Sequence, residues 1–210
     1  MPQPPDRMLD FPRNGVATRD RNHARRGGIR GLALILLGSA VLEPMAIAAT
    51  ITNKNPKTGL DTWKNQKGGF SLSLQQLTPN NVRAMYEAMG AKPVVVNRIA
   101  AYCVFGTEAQ NQSHRPVRYD VSTWRAVTAD GKLHHLRSKT GWQKIWKTDG
   151  VDYGFSILPA QQTFQPGDWG EGFTTVKLPH GTKFTLVYHW SEGGKIRTGA
   201  LTNVRCAADR

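Results

Sequence analysis

The sequence predicts a mainly β protein, an antiparallel immunoglobulin-like β-sandwich with a small helical hairpin inserted, on three observations. Short segments that alternate apolar and polar residues recur at near-regular spacing, with Gly- and Pro-containing turns between them. One stretch, 78–101, instead places apolar residues three and four apart, the period of a helix face. The chain has two cysteines, Cys103 and Cys206, and a bond between them would tie that hairpin to the end of the chain.

Taken in order, residues 1–48 read as an export leader. Seven arginines precede the uncharged run Gly31–Leu42, and Ala46-Ile47-Ala48 supplies the small residues of a cleavage site. The apolar run falls short of the roughly 20 residues needed to cross a bilayer, so no stable membrane anchor is expected after cleavage. Ala24-Arg25-Arg26-Gly27-Gly28-Ile29-Arg30 resembles the twin-arginine export pattern, departing from it at Gly28. General secretion and the twin-arginine route, which carries folded proteins, both remain open at this point.

Residues 49–67 are polar and broken by Pro56 and Gly59, which predicts an irregular lead-in to a single domain over 68–210. Phe70–Leu74 alternates as a half-buried strand. Thr78 is an N-cap and Pro79 suits the first helical position. Val82, Met85, Tyr86 and Met89 then share one face, Gly90 ends the helix, and Pro93 opens a second one through Ala101. Strands are expected over 102–108, 117–121, 124–127, 133–136, 153–158 and 173–178, with a hairpin turn at Ala129-Asp130-Gly131-Lys132. Trp142 and Trp146, four apart, fit either a turn of helix packed on the sheet or a bulged strand. Turns at 164–169, 178–182 and 191–195 bracket the remaining strands, Phe184–Trp190 and Ile196–Cys206.

Beyond residue 49 the chain keeps 21 basic and 11 acidic residues, a net charge of about +10, so its basicity is not confined to the leader. Excess positive charge favours an acidic protein or an anionic envelope component; nucleic acid is not expected after export. Two cysteines in an exported chain point to one disulfide in an oxidising compartment.

Neither Gly-x-Ser-x-Gly nor Cys-x-x-Cys occurs, which removes the usual signatures of a hydrolase elbow and a thiol-exchange site. His134, His135, His180 and His189, with the thioethers of Met85 and Met89, are the weak candidates for a copper site; no ligand-spacing motif joins them, and His134 and His135 should face opposite sides of a strand. Among six tryptophans, Trp169 stands in a turn beside Asp168 and Glu171. Together with His180 in a second turn, these residues are the candidate binding positions, since turns lie on surfaces and carry recognition. The expected function is therefore a non-catalytic, exported (periplasmic) binding or accessory module without a cofactor, serving a redox or envelope complex. The alternatives are a copper-handling protein and an enzyme whose site forms only on folding.

Overall fold

A computed structural model describes residues 50–151 and 154–209, so the leader expected over 1–48 lies outside the described residues. In chain order the elements are β1 (Ile51–Lys54), β2 (Asp61–Lys67), β3 (Phe70–Leu77), α1 (Pro79–Ala88), α2 (Pro93–Ala100), β4 (Cys103–Asn111), β5 (Val117–Asp120), β6 (Arg125–Thr128), β7 (Leu133–His135), α3 (Lys139–Thr148), β8 (Gln161–Phe164), β9 (Trp169–Val176), β10 (Lys183–Glu192) and β11 (Lys195–Arg205). The protein is mainly β, and its strands pair antiparallel.

The first sheet runs β1-β2-β3-β4-β9. The second is organised by β10, which pairs with β11 along one side. Its other side is divided: β6 takes Phe184–Val187 and β5 takes Trp190–Glu192, with β7 and β8 outside them. Alternation explains the burial on both sheets. Phe184, Leu186, Tyr188 and Trp190 point into one apolar core and meet Trp63, Phe70, Leu72, Leu74 and Phe105 from the first sheet. Phe70 stacks on Trp190 at 5.3 Å between ring centroids, and Tyr188 stacks on the same indole at 5.6 Å.

Polar side chains of β2 and β3 lace the first sheet to β11. Asn65, 1% exposed, donates through Nδ2 to the Ala200 carbonyl at 3.1 Å, and Gln76 Nε2 donates to the Arg205 carbonyl at 3.0 Å. Asn203 adopts a left-handed φ of 56° where β11 slips register against β10, which marks a bulge.

The three helices cover part of the outer face of the first sheet. Thr78 and Asn81 form a reciprocal capping box at the start of α1, with Pro79 in its first turn. Val82 and Tyr86 of α1, Val95, Val96 and Ile99 of α2, and Trp142 and Trp146 of α3 build a second apolar core over Val104 and Ile157. The two α3 indoles stack at 5.3 Å, and Trp142 Nε1 donates to Thr175 Oγ1 at 2.8 Å, so the Trp pair resolves as a helix on the sheet.

Two sequence expectations need correction. Residues 49–67 are not an irregular lead-in: β2 pairs with β3 from Thr62 to Lys67, and β1 pairs with β2 from Ile51 to Lys54. The strand expected over 153–158 is, in its described part, a 3-10 turn at Gly154–Ser156 followed by an isolated bridge from Ile157 to Phe173. The segment touches β9 at one point only: the Leu158 N–H donates to the Phe173 carbonyl at 3.0 Å where Gly172 leaves room for its backbone, and Leu136 bridges to Val176 further along β9. Cys103 on β4 and Cys206, just past β11, stand at disulfide distance with Cα atoms 5.2 Å apart, which ties the two sheets together.

Candidate functional site

The turn before β9 is built by Asp168. Its carboxylate accepts the Gln165 N–H at 2.7 Å, and its carbonyl accepts the Asn111 N–H at 2.9 Å, so this side chain holds the loop rather than facing a ligand. Trp169 begins β9 opposite Gln110 and is 59% exposed. Glu171, two residues on, shares its outward face. His180 lies past the other end of β9, in the turn that receives the C-terminal tail. There the Gly181 N–H donates to the Ala207 carbonyl at 3.2 Å, and His180 Nδ1 stands 3.7 Å from Asp209. His180 Nε2 is buried without a hydrogen-bond partner among the described residues. The structure thus groups Trp169 with Glu171 and leaves His180 beyond the far end of β9, a strand of eight residues.

The candidate copper ligands are dispersed. His134 pairs with Ala126 and His135 with Arg125, on opposite faces of β7 as strand geometry requires. His189 Nδ1 stands 2.9 Å from Thr198 Oγ1 on the outer face of the second sheet. Met89 packs against the helical core, while Met85 is 38% exposed over the first sheet. Among the described residues no group of three or more His, Cys, Asp or Glu side chains is placed to hold a metal ion.

Two features were not singled out in the sequence. The first is a groove of about 460 Å³ where the helical layer stops short on the first sheet, lined by Ser73, Gln75, Met85, Glu108, Glu171 and Phe173. Glu108 and Glu171 stand directly opposite each other across β4 and β9, two like charges on one face. The second is the outer face of the second sheet, over which no helix packs among the described residues. Strand alternation brings Arg118, Arg125, Lys183 and Arg205 to that face, together with His135 and His189. Lys183 and Arg205 are exposed and directly paired.

Asp120 is the carboxylate beside these cations on β5. Partial burial works against its ionisation, but hydrogen bonds from Ser122 and Gln161 and the charge of Arg118 outweigh that and hold its carboxyl below the usual range. Its oxygens are used locally: Ser122 Oγ donates at 2.6 Å and Gln161 Nε2 at 2.6 Å. The positive charge of the face is therefore largely uncompensated by its own residues.

No signal in the linear sequence would have assembled this face. Its cations come from four strands separated by up to eighty-seven positions, and only the order around β10 brings them together. No family model matches the chain, and no match is found among curated proteins or among solved structures.

Proposed function

We propose that the protein is an exported, non-catalytic binding or accessory module that presents a cationic sheet face to an anionic partner in the bacterial envelope. The observation that carries this reading is the outer face of the second sheet, not covered by a helix among the described residues, with Arg118, Arg125, Lys183 and Arg205 set against Asp120, which is engaged locally. Such a face attracts an anion over a distance of about 10 Å at ordinary salt and aligns it on approach. Export is supported by the charged and apolar pattern of the leader and by the cysteine pair, since disulfides persist in oxidising compartments. The finer fold reading, an immunoglobulin-like sandwich, draws support from the core shared by two antiparallel sheets.

The test is capture by dextran sulfate at rising ionic strength, comparing the protein with a Lys183→Glu/Arg205→Glu variant. Both side chains are exposed, so the variant should fold normally. Capture that weakens with salt and falls several-fold in the variant supports the reading. Equal capture of both proteins, or none of either, removes it.

A further inference from the structure

One end of the molecule gathers four connections into a single surface. The β2–β3 turn at Gly68-Gly69 touches the β4–β5 link, where the Gln112 N–H donates to the Gly69 carbonyl at 2.6 Å. The β8–β9 turn joins them, with the Gly167 N–H donating to the Asn111 carbonyl at 3.0 Å. The β10–β11 turn completes the set: a Cβ on Gly193 would lie 3.6 Å from Arg115 Nη1.

Asn111 is the hub. It is fully buried, its Nδ2 donates to the carbonyls of Arg115 at 2.8 Å and Phe164 at 3.0 Å, and its Oδ1 accepts the Ser113 N–H at 2.9 Å. A fully satisfied buried amide of this kind fixes loops that would otherwise be loosely tethered. The end is therefore built to hold a shape, and its exposed groups are held with it.

Those groups have a consistent chemistry. Lys67, Arg115, Arg118, Lys195 and Arg197 lie at or next to the four connections. Of the carboxylates nearby, Asp168 accepts the Gln165 N–H and Glu192 stands 3.5 Å from Arg197, while Glu171, opposite Glu108, shares the outward face of Trp169 further along β9. Two large apolar side chains flank the same end, one on each outer face: Trp169, 59% exposed, and Ile196, 79% exposed between Lys195 and Arg197 at the hairpin tip. Cations around an exposed aliphatic tip and an exposed indole match a bilayer surface, where anionic headgroups meet the cations and the interfacial zone takes the apolar side chains.

We infer that this loop end docks on an anionic phospholipid surface, with the Lys195-Ile196-Arg197 tip and Trp169 entering the headgroup zone. The inference goes beyond the anionic-partner reading above, which concerns the sheet face: Lys183 and Arg205 lie at the opposite end of β10 from the turn between Glu192 and Lys195, and Arg118 alone belongs to both sets.

Sedimentation with vesicles tests it. The protein should pellet with equimolar phosphatidylglycerol and phosphatidylcholine and remain largely in solution with phosphatidylcholine alone. Arg115→Glu/Lys195→Glu should lower the partition by about tenfold or more. Ile196→Ser, which removes no charge, should lower it by about tenfold. All three positions are exposed, and thermal unfolding of each variant checks the fold. Wild type left in solution with both vesicles, or full binding by the charge-reversed variant, overturns the inference. So does stronger displacement by inorganic phosphate than by chloride of equal ionic strength, which would mark a discrete phosphate site. If dextran sulfate captures the protein while vesicles do not, lipid docking fails and the anionic-partner reading stands. If neither captures it, both fail.

Discussion

Tyr188 Oη on β10 donates a hydrogen bond to Asn65 Oδ1 on β2 at 3.1 Å, and both side chains are buried between the two sheets. Asn65 passes the connection on to the Ala200 carbonyl of β11. A polar pair in the middle of an aromatic core fixes register, because a slip of either strand would leave both groups without partners in a dry site. Tyr188→Phe should therefore lower stability by about 1 to 1.5 kcal/mol, and Asn65→Leu by about 2 to 3 kcal/mol, since the second change strands both the phenol and a backbone carbonyl. Urea unfolding measures this: the midpoints should fall with the slope unchanged. An Asn65→Leu protein as stable as wild type would show that packing alone sets the register.

Gly199 faces the same tyrosine. A Cβ there would fall 2.5 Å from Tyr188 Oη and 2.7 Å from its Cε2, and the ring cannot retreat because Asn65 holds its hydroxyl. Gly199→Ala should cost about 1 to 3 kcal/mol through overpacking. Gly131 is the control, because its φ of 78° meets open space and Gly131→Asn keeps a residue that tolerates that conformation. The control should lose well under half as much in thermal unfolding.

Cys103 and Cys206 are separated by 103 positions, and closing so long a loop restricts the unfolded chain by about 4 to 5 kcal/mol under the chain-entropy account. Reduction should lower the unfolding midpoint by that equivalent, and Cys103→Ser/Cys206→Ser should be insensitive to reductant. A thiol assay on the denatured, unreduced protein should find none; two reactive thiols would remove this account.

The elements that read clearly in the sequence are those in which one rule acts alone. Strand β10 is legible because Phe184, Leu186, Tyr188 and Trp190 alternate with exposed or half-exposed residues, and α1 because Thr78 and Pro79 mark its start. Strand β2 was hidden because its inward positions include Asn65, which is buried only by virtue of partners on β10 and β11. Strand β1 is exposed along its whole length and has no apolar face to detect. The helix at Trp142 and Trp146 was half-legible, since a spacing of four fits it while Gly141 beside them argues against it. The candidate surfaces were least legible. Trp169 could be singled out as an indole beside a turn, although it is the first residue of β9 and not part of the turn; the cations of the second sheet and the loop hub Asn111 acquire their roles only from strand order and burial.

Glu108 and Glu171 oppose each other across two neighbouring strands without an ion pair among the described residues. Like charges in that relation destabilise a sheet, so Glu108→Gln should stabilise the protein by about 0.2 to 1 kcal/mol. The gain should shrink as salt is added, because both side chains are exposed and screening weakens their repulsion. A loss of stability on this substitution would mean that the pair is held by a contact worth more than the repulsion.

Alkaline titration should be carried by buried phenols. Burial pushes the Tyr86 hydroxyl up to about 12, with its hydrogen bond to Ser156 acting in the opposite direction, and burial raises Tyr119 and Tyr188 as well. Each group has a folded value above its ordinary value of 10.0, so the unfolded chain gives up these protons first. Their contribution to stability is complete below pH 10 and drains away as pH rises through about 12 for Tyr86. Tyrosinate absorbance from Tyr86, Tyr119 and Tyr188 should therefore appear together with unfolding. Tyr86→Phe should move the alkaline unfolding midpoint upward, because it removes one proton whose release favours the unfolded chain, while the lost bond to Ser156 lowers stability at neutral pH by about 1 kcal/mol. Smooth titration of every tyrosine near pH 10, without a cooperative step, would show that these rings are reached by water in the folded protein.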